Sequence, residues 1–167
     1  MRHVISILLE NEAGALSRVV GLFSQRGYNI DSLTVAPTDD PTLSRCTILT
    51  TGEKDEAEQI TKQLHKLVCV FRVSALLEEA EGGLERELVL VKLYTPNRSI
   101  RDEVKSLADI FHARIIDLNA EIFTLEFVGS SAESDNFIET LGKIVEIQEV
   151  VRSGLVGIAK GSHFMKP

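Results

Sequence analysis

Residues 3–36 read HVISILLENEAGALSRVVGLFSQRGYNIDSLTVA, and this stretch decides the fold because its hydrophobic period changes twice. His3 to Leu9 is a β-branched and aliphatic run of strand length. From Ala15 to Gln25 the apolar residues fall at Leu16, Val19, Val20 and Phe23, the i, i+3, i+4, i+7 spacing of one helix face. Gly27 is a natural helix stop, and Tyr28 to Ala36 reads as a second strand. Pro37-Thr38-Asp39-Asp40-Pro41 is a loop, and Ser44 to Thr51 returns as a strand. After Gly52, the acids Glu53, Asp55 and Glu56 suit the positive end of a helix dipole. That helix turns Ile60, Leu64 and Leu67 inward, and Val68 to Leu76 closes the unit as a strand. The order is β-α-β-β-α-β.

The same order then recurs. Glu78-Glu79-Ala80-Glu81-Gly82-Gly83 has the composition of a linker. Leu88 to Leu93 is a strand, and the helix after Ser99 carries Ile100, Val104, Leu107, Ala108 and Phe111 on one face. Ala113 to Leu118 and Ile122 to Val128 are strands joined by a short turn at Asn119-Ala120. Ser130 and Glu133 have capping-box spacing, ahead of a helix with Phe137, Leu141 and Ile144 inward. Val150 to Ile158 reads as the last strand. The expected fold class is therefore α+β, two tandem ferredoxin-like βαββαβ modules at residues 1–78 and 84–160. Such a module has helices on one sheet face only. Its bare face is expected to seek cover, most simply in a two-fold dimer.

Composition narrows the function classes. The net charge is −7, with 8 basic and 12 acidic residues in 1–83 and 10 and 13 in 84–167. That even acidic balance argues against a nucleic-acid partner. No apolar stretch approaches the ~18 residues of a membrane span. The N-terminus, Met1-Arg2-His3-Val4-Ile5-Ser6, resembles neither a secretory signal nor an organellar import sequence. Cys46 and Cys69 sit in apolar runs, as small buried hydrophobes do, and form no disulfide framework or C-x-x-C pair, so a reducing, cytoplasmic location is expected. Phosphate-loop, dinucleotide, nucleophile-elbow and zinc-protease motifs are missing, and the four histidines lie far apart in sequence. Neither catalytic residues nor a metal site are expected.

One segment carries binding chemistry. Leu9-Glu10-Asn11-Glu12-Ala13-Gly14-Ala15-Leu16 joins the first strand to the first helix. The helix start offers unpaired N–H groups and a positive dipole end, which suit a carboxylate. Gly14 lets a ligand approach the backbone, and Asn11 can donate and accept beside it. The plainer alternative is that Asn11 caps the helix and Gly14 merely permits the turn. Asn29, in Tyr28-Asn29-Ile30, can accept from an ammonium group, or can be a turn asparagine after Gly27.

The run from Ile5 through Asn11-Glu12-Ala13-Gly14-Ala15-Leu16 to Val19 resembles the start of an ACT domain. Continuing through Gly27-Tyr28-Asn29-Ile30-Asp31-Ser32-Leu33, the chain resembles the regulatory small subunits of acetohydroxyacid (acetolactate) synthase. Arg86-Glu87-Leu88, Ile115-Ile116-Asp117 and Arg152-Ser153-Gly154 extend the likeness over almost the whole chain. This resemblance implies a non-catalytic subunit that raises the activity of a catalytic large subunit in branched-chain amino-acid biosynthesis. It implies feedback inhibition by valine or a related amino acid, bound between the ACT domains of a homodimer. Asn11, Gly14, Ala15, Leu16, Asn29, Ile30 and Leu9 are then the expected effector-binding residues, with the two segments contributed by different chains. Thiamine diphosphate, magnesium and FAD are expected in the catalytic partner and none in this chain. A free-standing amino-acid sensor acting on another partner, such as a transcription factor, is the alternative.

Overall fold

The structure is a computed structural model that describes residues 1–76 and 82–167. The acidic stretch Glu78–Glu81, read above as a linker, lies outside the described residues. No helix among those described is long and apolar enough to cross a membrane. The chain divides into two compact units, Met1–Leu84 with Leu155–Pro167, and Glu85–Gly154.

The first unit holds β1 (Arg2–Glu10), α1 (Ala15–Arg26), β2 (Ser32–Pro37), β3 (Leu43–Thr51), α2 (Lys54–Leu64) and β4 (Val70–Ala75). Its antiparallel sheet has the order β2-β3-β1-β4. Ile5, Ile7 and Leu9 alternate along β1 and pack with Val19, Phe23, Ile60 and Leu64 into the helix-side core. α1 starts after Gly14 and stops at Gly27, both with positive φ, and its tail is closed by the Gly27 N–H on the Phe23 and Ser24 carbonyls. α2 starts with a capping box between Glu53 and Glu56.

The second unit repeats the order with β5 (Gly83–Tyr94), α3 (Arg98–Phe111), β6 (Arg114–Leu118), β7 (Ile122–Gly129), α4 (Ser131–Gly142) and β8 (Glu146–Arg152). Its sheet order is β6-β7-β5-β8. Val89, Val91 and Leu93 face a core in which Phe111, Phe127 and Phe137 stack and tilt with ring centroids 4.6 to 6.4 Å apart. Arg152 of β8 binds the buried carboxylate of Glu87 on β5 and, at 2.7 Å, Asp135 of α4. Three elements are thereby fixed by one planar guanidinium.

The structure corrects several expectations in detail. Tyr28 to Ile30 is loop, and β2 begins only at Ser32. α3 already begins at Arg98, ahead of the expected start after Ser99, and Asn97 caps it by accepting from the Ile100 N–H at 3.0 Å. Ile144 turns outward and Val145 takes the inner position. The expected last strand, Val150 to Ile158, is two strands, β8 and β9 (Val156–Ala159), parted at Gly154 with φ of 84°.

That break moves the unit boundary away from the expected 84–160. Residues 155–167 belong with the first unit because Leu155 packs against Val4 and Leu76, with Leu49 and Ala159 around them, on the sheet face away from the helices. β9 pairs with β5, whose first residues Gly83 and Leu84 also belong to the first unit. So β1 is buried along both faces, whereas β5 alternates between buried and exposed positions. The first sheet's bare face, expected to find cover on a second copy, meets the chain's own C-terminal segment.

Two predictions follow from this packing. Leu155→Ala should cost about 2–5 kcal/mol in chemical denaturation, the range for a buried leucine. Ile158→Ala, at a position 57% exposed, should change stability by less than about 0.5 kcal/mol. Equal losses would show that the segment is not anchored at Leu155. In the α4 capping box, hydrogen bonds with Ser130 and the charge of Arg86 hold the Glu133 carboxyl below the usual carboxylate range. A lowered folded value stabilises above the unfolded carboxylate range, and the gain is lost as pH falls through the lowered value. Ser130→Ala should raise the Glu133 midpoint part of the way to its ordinary value in an NMR titration; an unmoved midpoint would contradict the capping account.

Candidate functional site

The β1–α1 loop is tied to the β2–β3 loop. The Asn11 N–H donates to the Thr42 carbonyl at 2.7 Å, and its side-chain Nδ2 donates to the Pro41 carbonyl at 2.9 Å. Thr42 in turn donates from its N–H and hydroxyl to one oxygen of Asp40, and these bonds hold the Asp40 carboxyl below its usual range. Asn11 is thus an anchor between loops and not the cap of α1. The helix start has no side-chain cap at all.

Gly14 occupies that start with φ of 88°, a conformation that L side chains adopt only at a cost. A Cβ built there would meet nothing within 4 Å, so the space in front of the helix start is open. An uncapped first turn facing open space is a place where a carboxylate gains hydrogen bonds and a favourable dipole. Ala15 is buried, and its N–H bonds back to the Glu12 carbonyl at 3.2 Å. Leu16 is half-buried against the core. Leu9 is buried in the core, 1% exposed, and supports the loop from beneath.

Asn29 stands at the other end of α1. Its Nδ2 donates to Asp31 Oδ1 at 2.5 Å, and its carbonyl accepts from the Thr50 hydroxyl at 2.6 Å. Asp31 Oδ2 accepts from the Thr51 hydroxyl at 2.8 Å, and the Asp31 N–H bonds to the Leu49 carbonyl at 2.9 Å. This orientation uses the amide nitrogen of Asn29 inside the chain and leaves its side-chain oxygen to accept from a ligand. Ile30 is half-buried beside the core.

One copy therefore gathers Leu9, Asn11, Gly14, Ala15 and Leu16 at one end of α1 and sets Asn29 and Ile30 at the other. The helix has 12 residues, a length of about 18 Å. A free amino acid cannot span that distance. Two grooves in the first unit contain none of these residues. One, of about 350 Å³, lies between Ser17, Arg18, Leu22, Gln25 and Gln63. The other, of about 320 Å³, lies between Arg45, Arg72, Ser74, Leu76 and His163. Sequence reasoning missed Asp31, Pro41 and Thr42, which hold the two asparagines. Asp31, two residues after Asn29, had the spacing of a local side-chain bond and was the one legible signal.

Chemistry of other kinds finds little support. Cys46 and Cys69 are buried, and burial pushes the Cys46 thiol up to about 12, so it is no thiolate nucleophile near neutral pH. Among the described residues, no three His, Cys, Asp or Glu side chains converge as a metal site.

Comparison with known proteins fits the geometry. Residues 5–72 match the family model for the AHAS small subunit-like ACT domain, and residues 86–161 match that for the small subunit of acetolactate synthase. The acetolactate synthase isozyme 3 small subunit of Escherichia coli (strain K12) is 54% identical over 99% of this chain and 100% of its own length. The acetolactate synthase small subunit of Haemophilus influenzae is 53% identical over 96% of this chain and 97% of its own. The crystal structure of the small subunit from Thermotoga maritima superposes with a TM-score of 0.85 at 35% identity, covering 98% of this chain and 99% of that one. With an ACT-type first unit, the same two-part architecture and relatives matched from end to end, the chain belongs to the acetolactate synthase small-subunit family.

Proposed function

We propose that this chain is the non-catalytic regulatory subunit of an acetolactate synthase. It binds the catalytic large subunit, raises its activity and makes it sensitive to valine or a related branched-chain amino acid. Thiamine diphosphate, magnesium and FAD serve the catalytic subunit and not this chain. The full-length match to small subunits favours this reading over a free-standing sensor acting on another protein.

One observation supports the effector reading: the residues expected to bind an amino acid lie at opposite ends of α1, and an edge strand runs between them. β2 pairs with β3 and, among the described residues, with no other strand, so its outer edge is free for another copy. Two copies of β2 paired antiparallel about a two-fold axis bring the start of one beside the end of the other. Asn29 and Asp31 precede the start, and the loop to which Asn11 is anchored follows the end. Each copy then lends the helix start at Gly14 for the carboxylate and receives the partner's Asn29 for the ammonium. Two equivalent sites form, and effector stabilises the dimer that makes them. Burial of a valine isopropyl group contributes about 1.5–3 kcal/mol. Discrimination in favour of free amino acids comes from the paired polar groups.

Reconstitution tests the reading. Added to the catalytic subunit at saturating pyruvate, the chain should raise kcat, and alone it should form no acetolactate. Gly14→Asp places a carboxylate where the effector's would sit, in competition for the same N–H groups. It should abolish valine inhibition while activation is largely retained. Asn29→His should desensitise in the same way. Unchanged inhibition in both folded variants would put the effector elsewhere, and product formed by the chain alone would end the regulatory reading.

A further inference from the structure

We propose that Ser32 and Thr34 form a latch through which an effector bound beside the start of β2 acts on the second unit. The proposal rests on the effector reading above and names the residues that carry its signal.

The latch grips both main-chain groups of a single residue. The Thr34 hydroxyl donates to the Leu155 carbonyl at 2.6 Å, and the Leu155 N–H donates to the Ser32 hydroxyl at 3.0 Å. Ser32 and Thr34 are two apart on one strand, so their side chains share a face. That face is the one away from the helices, since Leu33 between them packs into the helix-side core. The Leu155 side chain is buried with Val4 and Leu76. Two residues on, the Arg45 guanidinium reaches the Gly157 carbonyl at 3.5 Å and binds the Ser6 hydroxyl. A Cβ at Gly157 would lie 2.5 Å from Leu76 Cδ1, so the segment runs close against the sheet.

Both ends of this contact lead somewhere. Toward the site, Ser32 follows Asp31, which holds the Asn29 side chain at 2.5 Å. Toward the second unit, Leu155 follows Gly154, the last residue of that unit, which has φ of 84°. The chain turns there with no further structure between latch and unit. Hydrogen bonds weaken steeply with distance and angle, so a small displacement of β2 on effector binding changes the hold on Leu155. The segment that starts at Leu155 is the two-state element: held on the sheet, or released with a leucine exposed. An effector that binds the two states unequally shifts their populations, and coupling of this kind between sites is commonly 5- to 150-fold.

The test separates binding from response, using the full chain, its catalytic large subunit and L-valine. Ser32→Ala combined with Thr34→Val removes both hydroxyls at little change in volume, and Thr34→Ser alone keeps both in place. For each variant, Kd for L-valine comes from calorimetry and the half-inhibitory concentration from the reconstituted enzyme. In the double variant the ratio of half-inhibitory concentration to Kd should rise about ten-fold or more, with activation in the absence of valine retained. In Thr34→Ser the ratio should stay near that of the unaltered chain. Hydrogen exchange on the unaltered chain needs no variant: L-valine should change the protection of the Leu155 amide. An unchanged ratio in the double variant, or a Leu155 amide indifferent to valine, would overturn the latch. Loss of valine binding in the double variant would also overturn it, because the hydroxyls would then serve the site. An unaltered chain that binds no L-valine would overturn the effector reading, and the latch with it.

Discussion

A four-stranded sheet with both helices on one side has a second side to cover, and how each unit does so shapes the rest of the molecule. The two units share one strand order but differ here. In β1 the run Val4 to Leu9 is almost continuously apolar, and both faces are buried. In β5, Arg86, Leu88 and Lys92 alternate with Glu87, Val89, Val91 and Leu93, and only the second set is buried. Continuous apolarity signals a strand covered twice; alternation signals a strand covered once. The first sheet is closed by a segment that is last in sequence. Its packing therefore depends on contacts between residues separated by some 120 positions, such as Ser32 and Leu155.

That closure leaves the start of α1 and the outer edge of β2 among the parts of the first unit open to a ligand or another copy. The helix start at Gly14 is uncapped and open, and β2 is an edge. Both features would be liabilities in a protein that worked alone: unpaired donors in one place, an exposed strand edge in the other. In the proposed two-fold assembly the partner's β2 would cover the strand edge, and the effector's carboxylate would take up the helix start. A site divided between copies would make effector binding and assembly one equilibrium.

The fold was legible because strand and helix periods are local. His3 to Leu9, the Leu16-Val19-Val20-Phe23 face and the Ser130–Glu133 box each show themselves within a few residues, and the structure has all three. The return of Leu155 to the first sheet was not legible. Val150 to Ile158 is β-prone on either side of the turn-type pair Ser153-Gly154, and nothing local says that the chain after that pair returns to the first sheet. In the site region, the residue types at Asn11, Gly14 and Asn29 were readable from what a carboxylate and an ammonium need. What holds them was not, because Pro41 and Thr42 lie some 30 residues from Asn11 and Thr50 some 20 from Asn29. The separation of the two segments was already implied by the helix read between Gly14 and Gly27, and the structure gives it a length.

The central claim is that each effector site takes one half from each of two copies, and mixed dimers test it most directly. One chain would carry Gly14→Asp and the other Asn29→His, with different affinity tags so that the mixed species alone is purified. A site divided between copies leaves one intact pair in the mixed dimer, the unaltered Gly14 of one chain facing the unaltered Asn29 of the other. Calorimetry should then find one L-valine bound per mixed dimer and none in either parent dimer. A mixed dimer that binds none while the doubly unaltered dimer binds two would place the whole site within one chain and contradict the account.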